Sequence, residues 1–272
     1  MIKPVDGKIG IRAYISVALI AVAIKLSDTT PSMLFTKGAN AGWLIPLVSS
    51  VVMFIPLLLL LRLLKQYEGS GLMELINELM GKYAGLAVAA LLFLCVFVST
   101  AINSRSYVDI INVMSYQRTP ITILYLLLLS FSWYVANRGF ETIGRTAWII
   151  APYIFIVLWS LIFFVWDEMD WMHLFPIFGP GPSHLLLEGA THSSVYGEII
   201  LLTAMAPYVR SYKLFRNGTL LGYAVATIEM VIFCAVYVAI FDYPAVVQLA
   251  YPFQHLTRAA SIGEMITHVE SI

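Results

Sequence analysis

The sequence predicts an all-α, polytopic transmembrane helix bundle, and three observations carry that prediction. Apolar stretches without a single charge recur along the chain, at 44–61, 84–104, 121–137, 147–166 and 218–228. The helical length that crosses a bilayer core is about 20 residues, close to most of these stretches. Only 12% of the residues are charged and 60% are apolar, where an ordinary soluble domain is about 25% charged. Between the stretches stand short polar breaks that hold most of the Lys and Arg. Backbone groups inside lipid must satisfy one another, so the apolar stretches are read as helices.

Taken in order, seven complete spans are expected: Ile11–Phe35, Trp43–Leu64, Tyr83–Val113, Thr119–Asn137, Glu141–Trp166, Leu185–Val209 and Gly218–Phe241. An eighth is expected to start near Gly263 and to be cut by the terminus at Ile272. The first apolar run has no small-residue cleavage site after a short core, so it reads as a span rather than a signal peptide. Positive charge orients the bundle. With the N-terminus cytoplasmic, the inner loops hold Lys3, Lys8, Arg12, Arg62, Lys65, Lys82, Arg138, Arg145, Arg210, Lys213 and Arg216, and the outer loops only Lys37, Arg118 and Arg258. The acidic run Asp167-Glu168-Met169-Asp170 then falls outside.

Two connections are more than loops. The stretch Gly71 to Gly81 sets apolar residues at helical spacing opposite Glu74, Asn77 and Glu78, which predicts an amphipathic helix on the inner surface. The stretch Tyr243 to Gly263, with Pro244 and Pro252, predicts an outer re-entrant or surface hairpin. These elements occupy equivalent places in two halves of the chain. A single transmembrane domain over 1–272 follows, with a first repeat at about 11–166 and an incomplete second, inverted repeat at about 183–272.

Two spans are expected to be broken. Span one carries Lys25-Leu26-Ser27-Asp28-Thr29-Thr30-Pro31. A charge within a membrane segment costs roughly 2.5–3.5 kcal/mol on insertion scales, and Pro31 removes a backbone donor while disfavouring helix at Thr30. The alternative, a span ending near Ile24 and followed by an outer loop, leaves Ile11–Ile24 too short to cross. Span six carries Thr191-His192-Ser193-Ser194-Val195-Tyr196-Gly197-Glu198, small and hydroxyl residues beside a Gly-Glu pair. Unwound carbonyls and half-helix ends can hold the ammonium and carboxylate of a small zwitterion. The candidate ligand-binding residues are therefore Ser27, Asp28, Thr29, Thr30, Ser193, Ser194, Tyr196, Gly197 and Glu198, with Lys25 as a coupling or cation-substituting group.

Bland readings stand beside these. Glu198 could make a structural hydrogen bond to span one, and His192 reads as a packed or interfacial histidine. Arg105 and Asp109 are four apart and can pair along their helix. Glu229 is alone on an apolar helix, with pairing to Lys25 or Arg105 open. Arg145 reads as a snorkelling interfacial cation, and Cys95 and Cys234 as packing residues. Zero net charge offers no basic field for nucleic acid. No nucleophile–base pair, metal cluster or phosphate loop is visible, so neither an enzyme nor a cofactor or metal site is expected.

Several motifs carry a resemblance. They are Gly81-Lys82-Tyr83-Ala84-Gly85, Arg118-Thr119-Pro120, Arg138-Gly139-Phe140-Glu141-Thr142-Ile143-Gly144-Arg145, Tyr196-Gly197-Glu198, Pro207-Tyr208, and Tyr251-Pro252-Phe253 through Ser261-Ile262-Gly263-Glu264. In this order and spacing the chain resembles the B subunits of the nutrient-germinant receptors of bacterial spores, the GerAB type, within the amino acid–polyamine–organocation transporters. The resemblance implies a LeuT-like five-plus-five inverted repeat, here truncated after the start of the eighth span. It also implies an amino-acid-like nutrient bound at mid-membrane, and A-type and C-type germinant receptor subunits as partners in the spore inner membrane or bacterial cell membrane. In related transporters a cation on span five replaces a bound sodium, which points to Arg145. Many relatives have a glycine-rich break in span one, where this chain has Ser27-Asp28-Thr29-Thr30-Pro31. Two roles are implied as alternatives: a receptor subunit that signals germination, or an active amino acid permease coupled to protons or another ion, with Glu198 or Asp28 as the proton carrier.

Overall fold

In the computed structural model, which describes residues 7–67 and 69–260, the chain is helical throughout, and its single β-type contact among the described residues is one bridge between Ile9 and Val209. The expected start of an eighth span near Gly263, and the motif Ser261-Ile262-Gly263-Glu264, lie outside the described residues. The helices are α1 Ile11–Ala23, α2 Thr30–Gly38, α3 Ile45–Gln66, α4 Leu72–Met114, α5 Ile121–Asn137 and α6 Phe140–Phe164. They continue with α7 Pro182–Thr191, α8 Gly197–Leu201, α9 Tyr212–Phe241, α10 Ala245–Gln248 and α11 Pro252–Ala259.

Among the described residues, four helical stretches are long and apolar enough to cross a membrane: Thr30–Gln66, Leu72–Val113, Phe140–Phe164 and Tyr212–Phe241. The sequence predicts seven spans, and the difference has physical causes. Spans one and six are interrupted into pieces, and α5 is a shorter apolar helix of 17 residues. The stretch from Thr30 to Gln66 is not straight either. Ala39 takes φ 51°, ψ −140°, and the chain turns so tightly there that a Cβ on Gly42 would stand 2.9 Å from the Leu34 carbonyl. Gly81 breaks α4 in the same way, with φ 75° and ψ 171°, a conformation that suits only glycine. The amphipathic segment before it folds back so sharply that a Cβ on Gly85 would meet Asn77. Its Leu72 and Leu75 are buried, and Glu74 accepts the Gly71 N–H at 2.9 Å.

The core is built where small residues let helices close. A Cβ on Gly218 of α9 would stand 2.7 Å from the Tyr14 ring of α1, and one on Gly222 would stand 2.9 Å from Ala18. Within that seam the hydroxyls of Tyr14 and Thr219 share a buried hydrogen bond of 2.8 Å. Gly189 of α7 does the same for α3: an added Cβ would lie 2.4 Å from Val48, and Ser49 Oγ donates to the Gly189 carbonyl at 2.8 Å. Close backbone approach at small residues is how helices pack where lipid is as apolar as the side chains. By contrast α5 buries no residue, and α4 turns Leu86, Leu91, Phe93, Leu94, Phe97 and Val98 outward. Apolar surface of that extent belongs against hydrocarbon.

The charge asymmetry of the sequence becomes a polarity of the bundle. Ile9 donates to the Tyr208 carbonyl at 2.7 Å, bringing the N-terminal segment to the end of the sixth span. Around that junction lie Lys8 and Arg210 on one side and Arg138 and Arg145 on the other. The acidic loop lies instead against the last turn of α9, where Asp170 N–H donates to the Ala239 carbonyl at 3.0 Å. Asn40 ties the same loop to the turn after α2, donating to the Pro176 carbonyl at 2.9 Å.

Candidate functional site

Both predicted breaks are present, and they meet. In the first, α1 ends at Ala23, a 3-10 turn covers Ile24–Leu26, and α2 restarts at Thr30. Asp28 accepts the Thr30 N–H at 2.6 Å and so closes the first turn of α2, with Pro31 at the position where a missing N–H costs nothing. In the second, α7 ends at Thr191, a 3-10 turn covers Ser193–Tyr196, α8 runs only from Gly197 to Leu201, and another 3-10 segment carries the chain to Tyr208.

Lys25 joins them. Its Nζ lies 2.6 Å from Glu198 Oε2 and donates to the Val195 carbonyl at 2.7 Å. One ammonium thus neutralises the acid of the second break and satisfies a carbonyl freed by the unwinding. Asp28 lies in the same electrostatic neighbourhood as Lys25 and Glu198. The cluster holds two carboxylates and one ammonium, a formal excess of one negative charge. Beside it, Gly197 faces open space: a Cβ built there meets nothing within 4 Å. Thr29 and Ser194 are exposed, and Thr30 and Ser193 half-buried.

The loosened backbone is largely satisfied by the protein itself. Tyr237 of α9 donates its hydroxyl to the Leu26 carbonyl at 3.0 Å, and Gln254 of α11 donates to the Ser27 carbonyl at 3.2 Å. Ser27 Oγ turns back to the Ile24 carbonyl at 2.8 Å. Tyr107 of α4 lies in the electrostatic field of both Asp28 and Glu198. Tyr107, Tyr237 and Gln254 escape the sequence reading because a Tyr on an apolar helix, or a Gln on a short helix after a proline, carries no local signal of what it will face. Behind the first break, a cavity of about 150 Å³ is lined by Ile20, Ala23, Ile24, Leu26, Ile154, Leu158 and Phe253, with Ser27 as its one polar member.

Two expected site residues lie elsewhere. Tyr196 is fully buried, its hydroxyl donates to the Pro46 carbonyl at 3.1 Å, and its ring packs against Tyr223 with centroids 5.2 Å apart. It wedges the second break against α3 and α9 and does not face the charge cluster. Arg145, expected to replace a coupling cation, is exposed and pairs with Glu141 one turn back, at the basic end of the bundle. It sits in the second turn of α6, too near the helix start to reach the breaks. Other polar groups follow the simpler readings. Arg105 pairs with Asp109 at 3.0 Å along α4. His192 Nδ1 lies 2.9 Å from the Glu188 carbonyl on the preceding turn.

The family described as "Spore germination protein" matches residues 13–272, and the chain belongs to that family. It is similar to "Spore germination protein KB" of Bacillus subtilis (strain 168), 21% identical over 266 residues, which cover 95% of this chain and 71% of that protein. It is also similar to "Putative spore germination protein YfkT" of the same organism, 27% identical over 186 residues, covering 68% of this chain and 51% of that one. No solved structure matches the chain significantly. Family and apolar helices together make this a multi-pass membrane protein of the spore germination class, with a receptor or permease-like role.

Proposed function

We propose that this member of the spore germination protein family is a germinant-receptor subunit that binds a small nutrient, an amino acid, where its two broken helices cross. The observation that carries the reading is the Lys25–Glu198 pair between the breaks, with Asp28 as a second carboxylate and open space at Gly197. The excess negative charge suits the ammonium of an amino acid. A ligand ammonium that competes with Lys25 for Glu198 or the Val195 carbonyl loosens one break from the other. That differential contact is what a ligand needs to bias two arrangements of the bundle. The change then passes to A-type and C-type receptor subunits in the spore inner membrane, with the N-terminus of this subunit cytoplasmic.

The test is germination of spores carrying Gly197→Leu against single nutrients. The added side chain enters space that is empty in the structure, so the variant should stay in the membrane at wild-type level and lose the nutrient response. An unchanged nutrient response in that variant would remove the site. A permease is the second reading, favoured by the half-unwound helices themselves. Uptake of labelled amino acid into proteoliposomes, abolished in Glu198→Gln, would assign transport rather than sensing.

A further inference from the structure

Glu229 makes none of the contacts of the candidate site. It is the only charged residue between Arg216 and Asp242, in the middle of the 30-residue α9. It is 1% exposed, and neither carboxyl oxygen has a hydrogen-bond partner among the described residues. It stands two turns beyond Gly222, on the stripe through Gly218 and Gly222 that closes against α1. Its neighbours along that stripe are Ala226 and Phe233, both fully buried and apolar.

The two cations that the sequence sets within possible reach of it are engaged elsewhere. Lys25 is held by Glu198 and the Val195 carbonyl, and Arg105 by Asp109. The titratable and charged groups on the elements packed against α9 are Arg12, Tyr14, Lys25, Arg62, Lys65, Asp170, His173, Tyr196, His255 and Arg258. On α9 itself they are Tyr212, Lys213, Arg216, Tyr223, Cys234 and Tyr237, and none of these groups donates a hydrogen bond to a Glu229 oxygen. A carboxylate that accepts no hydrogen bond from the protein in an apolar interior is far costlier than the same group in its neutral form. A metal cation would need several further oxygen ligands, which the glycine, alanine and phenylalanine of the stripe do not supply.

We infer that Glu229 is a proton-binding site of this protein. In the arrangement described, its carboxyl holds a proton. The proton leaves when α1 and α9 separate enough to admit water to the seam. This inference does not rest on the nutrient reading, although the register that sets Gly218 on Tyr14 and Gly222 on Ala18 carries Glu229 to the level of Lys25. If the seam opens during the working cycle, one proton is exchanged per cycle, and any equilibrium linked to that opening changes by up to about tenfold per pH unit.

The experiment is infrared difference spectroscopy of the full chain in lipid at neutral pH, with and without carboxyl-13C glutamate labelling. The expected result is the carbonyl stretch of a protonated acid that shifts with the label, persists in Glu198→Gln and is missing in Glu229→Gln. Absence of a label-sensitive acid band in the wild type overturns the inference, and so does its persistence in Glu229→Gln. Should Glu229→Gln fail to accumulate, the band in Glu198→Gln decides, since its loss there would assign the proton to Glu198. None of these readings uses the nutrient, so failure of the nutrient site leaves this test intact.

Discussion

Lys25→Met probes the junction of the two breaks directly. The Lys25 side chain is 15% exposed and that of Glu198 27%, so neither charge is well hydrated once the other is removed. Deleting one partner of a buried ion pair costs about 3–5 kcal/mol when the survivor is left uncompensated. Open space next to Glu198, at Gly197, admits some water, which brings the expectation down to about 2–3 kcal/mol. Lys25 also satisfies the Val195 carbonyl at 2.7 Å, and losing that charged hydrogen bond adds to the cost. For a chain of this size such a loss lowers the midpoint of thermal unfolding by roughly 5–10 °C. The assay is a double-mutant cycle in detergent with Lys25→Met, Glu198→Gln and the pair. Because the double variant removes both charges, it should be more stable than the sum of the single effects implies, by about 1–3 kcal/mol. Strictly additive single effects would refute the claim that these two groups hold the breaks together.

Three further expectations come from the same geometry. Tyr237→Phe leaves the Leu26 carbonyl of the first break without its donor and should cost about 1–3 kcal/mol of stability, read from the unfolding midpoint, while leaving the helix packing intact. Gly189→Val places side-chain atoms within 2.5 Å of Val48 and should destabilise the α3–α7 contact by about 1–3 kcal/mol or abolish accumulation in the membrane, read by immunoblot of membrane fractions. Arg145→Gln should leave the nutrient response unchanged and cost about 1 kcal/mol of stability, because the Glu141 carboxylate it pairs with is only 15% exposed and the amide replaces a charged donor with a neutral one; a lost response would restore the cation-substituting role to Arg145.

Much of this architecture is written locally, and that part is legible in the sequence. Pro31 after a run of hydroxyl residues, and small residues beside Gly197, mark the two interruptions, because each acts on its own stretch of backbone. Gly81 separates the amphipathic helix from the span that follows for the same reason. Pairings across the bundle are not local. Lys25 had both Glu198 and Glu229 within conceivable reach, and the rotation of α1 against the second break, not the sequence, selects Glu198. Tyr196 looks like a site residue because it adjoins Gly197, yet a 3-10 turn points it into the core. Arg145 lies in the expected helix, but α6 begins at Phe140, which leaves the guanidinium at the basic end of the bundle. Tyr237 and Gln254 meet the first break only through the tertiary fold.

The most direct measurement is a density map of the full-length protein in a lipid nanodisc, determined with and without a nutrient that triggers germination. The account predicts first and sixth spans interrupted near residues 27–29 and 192–196, Lys25 against Glu198 without nutrient, and nutrient density between these interruptions beside Gly197. Continuous helices through both positions, or nutrient density at another place in the bundle, would contradict it.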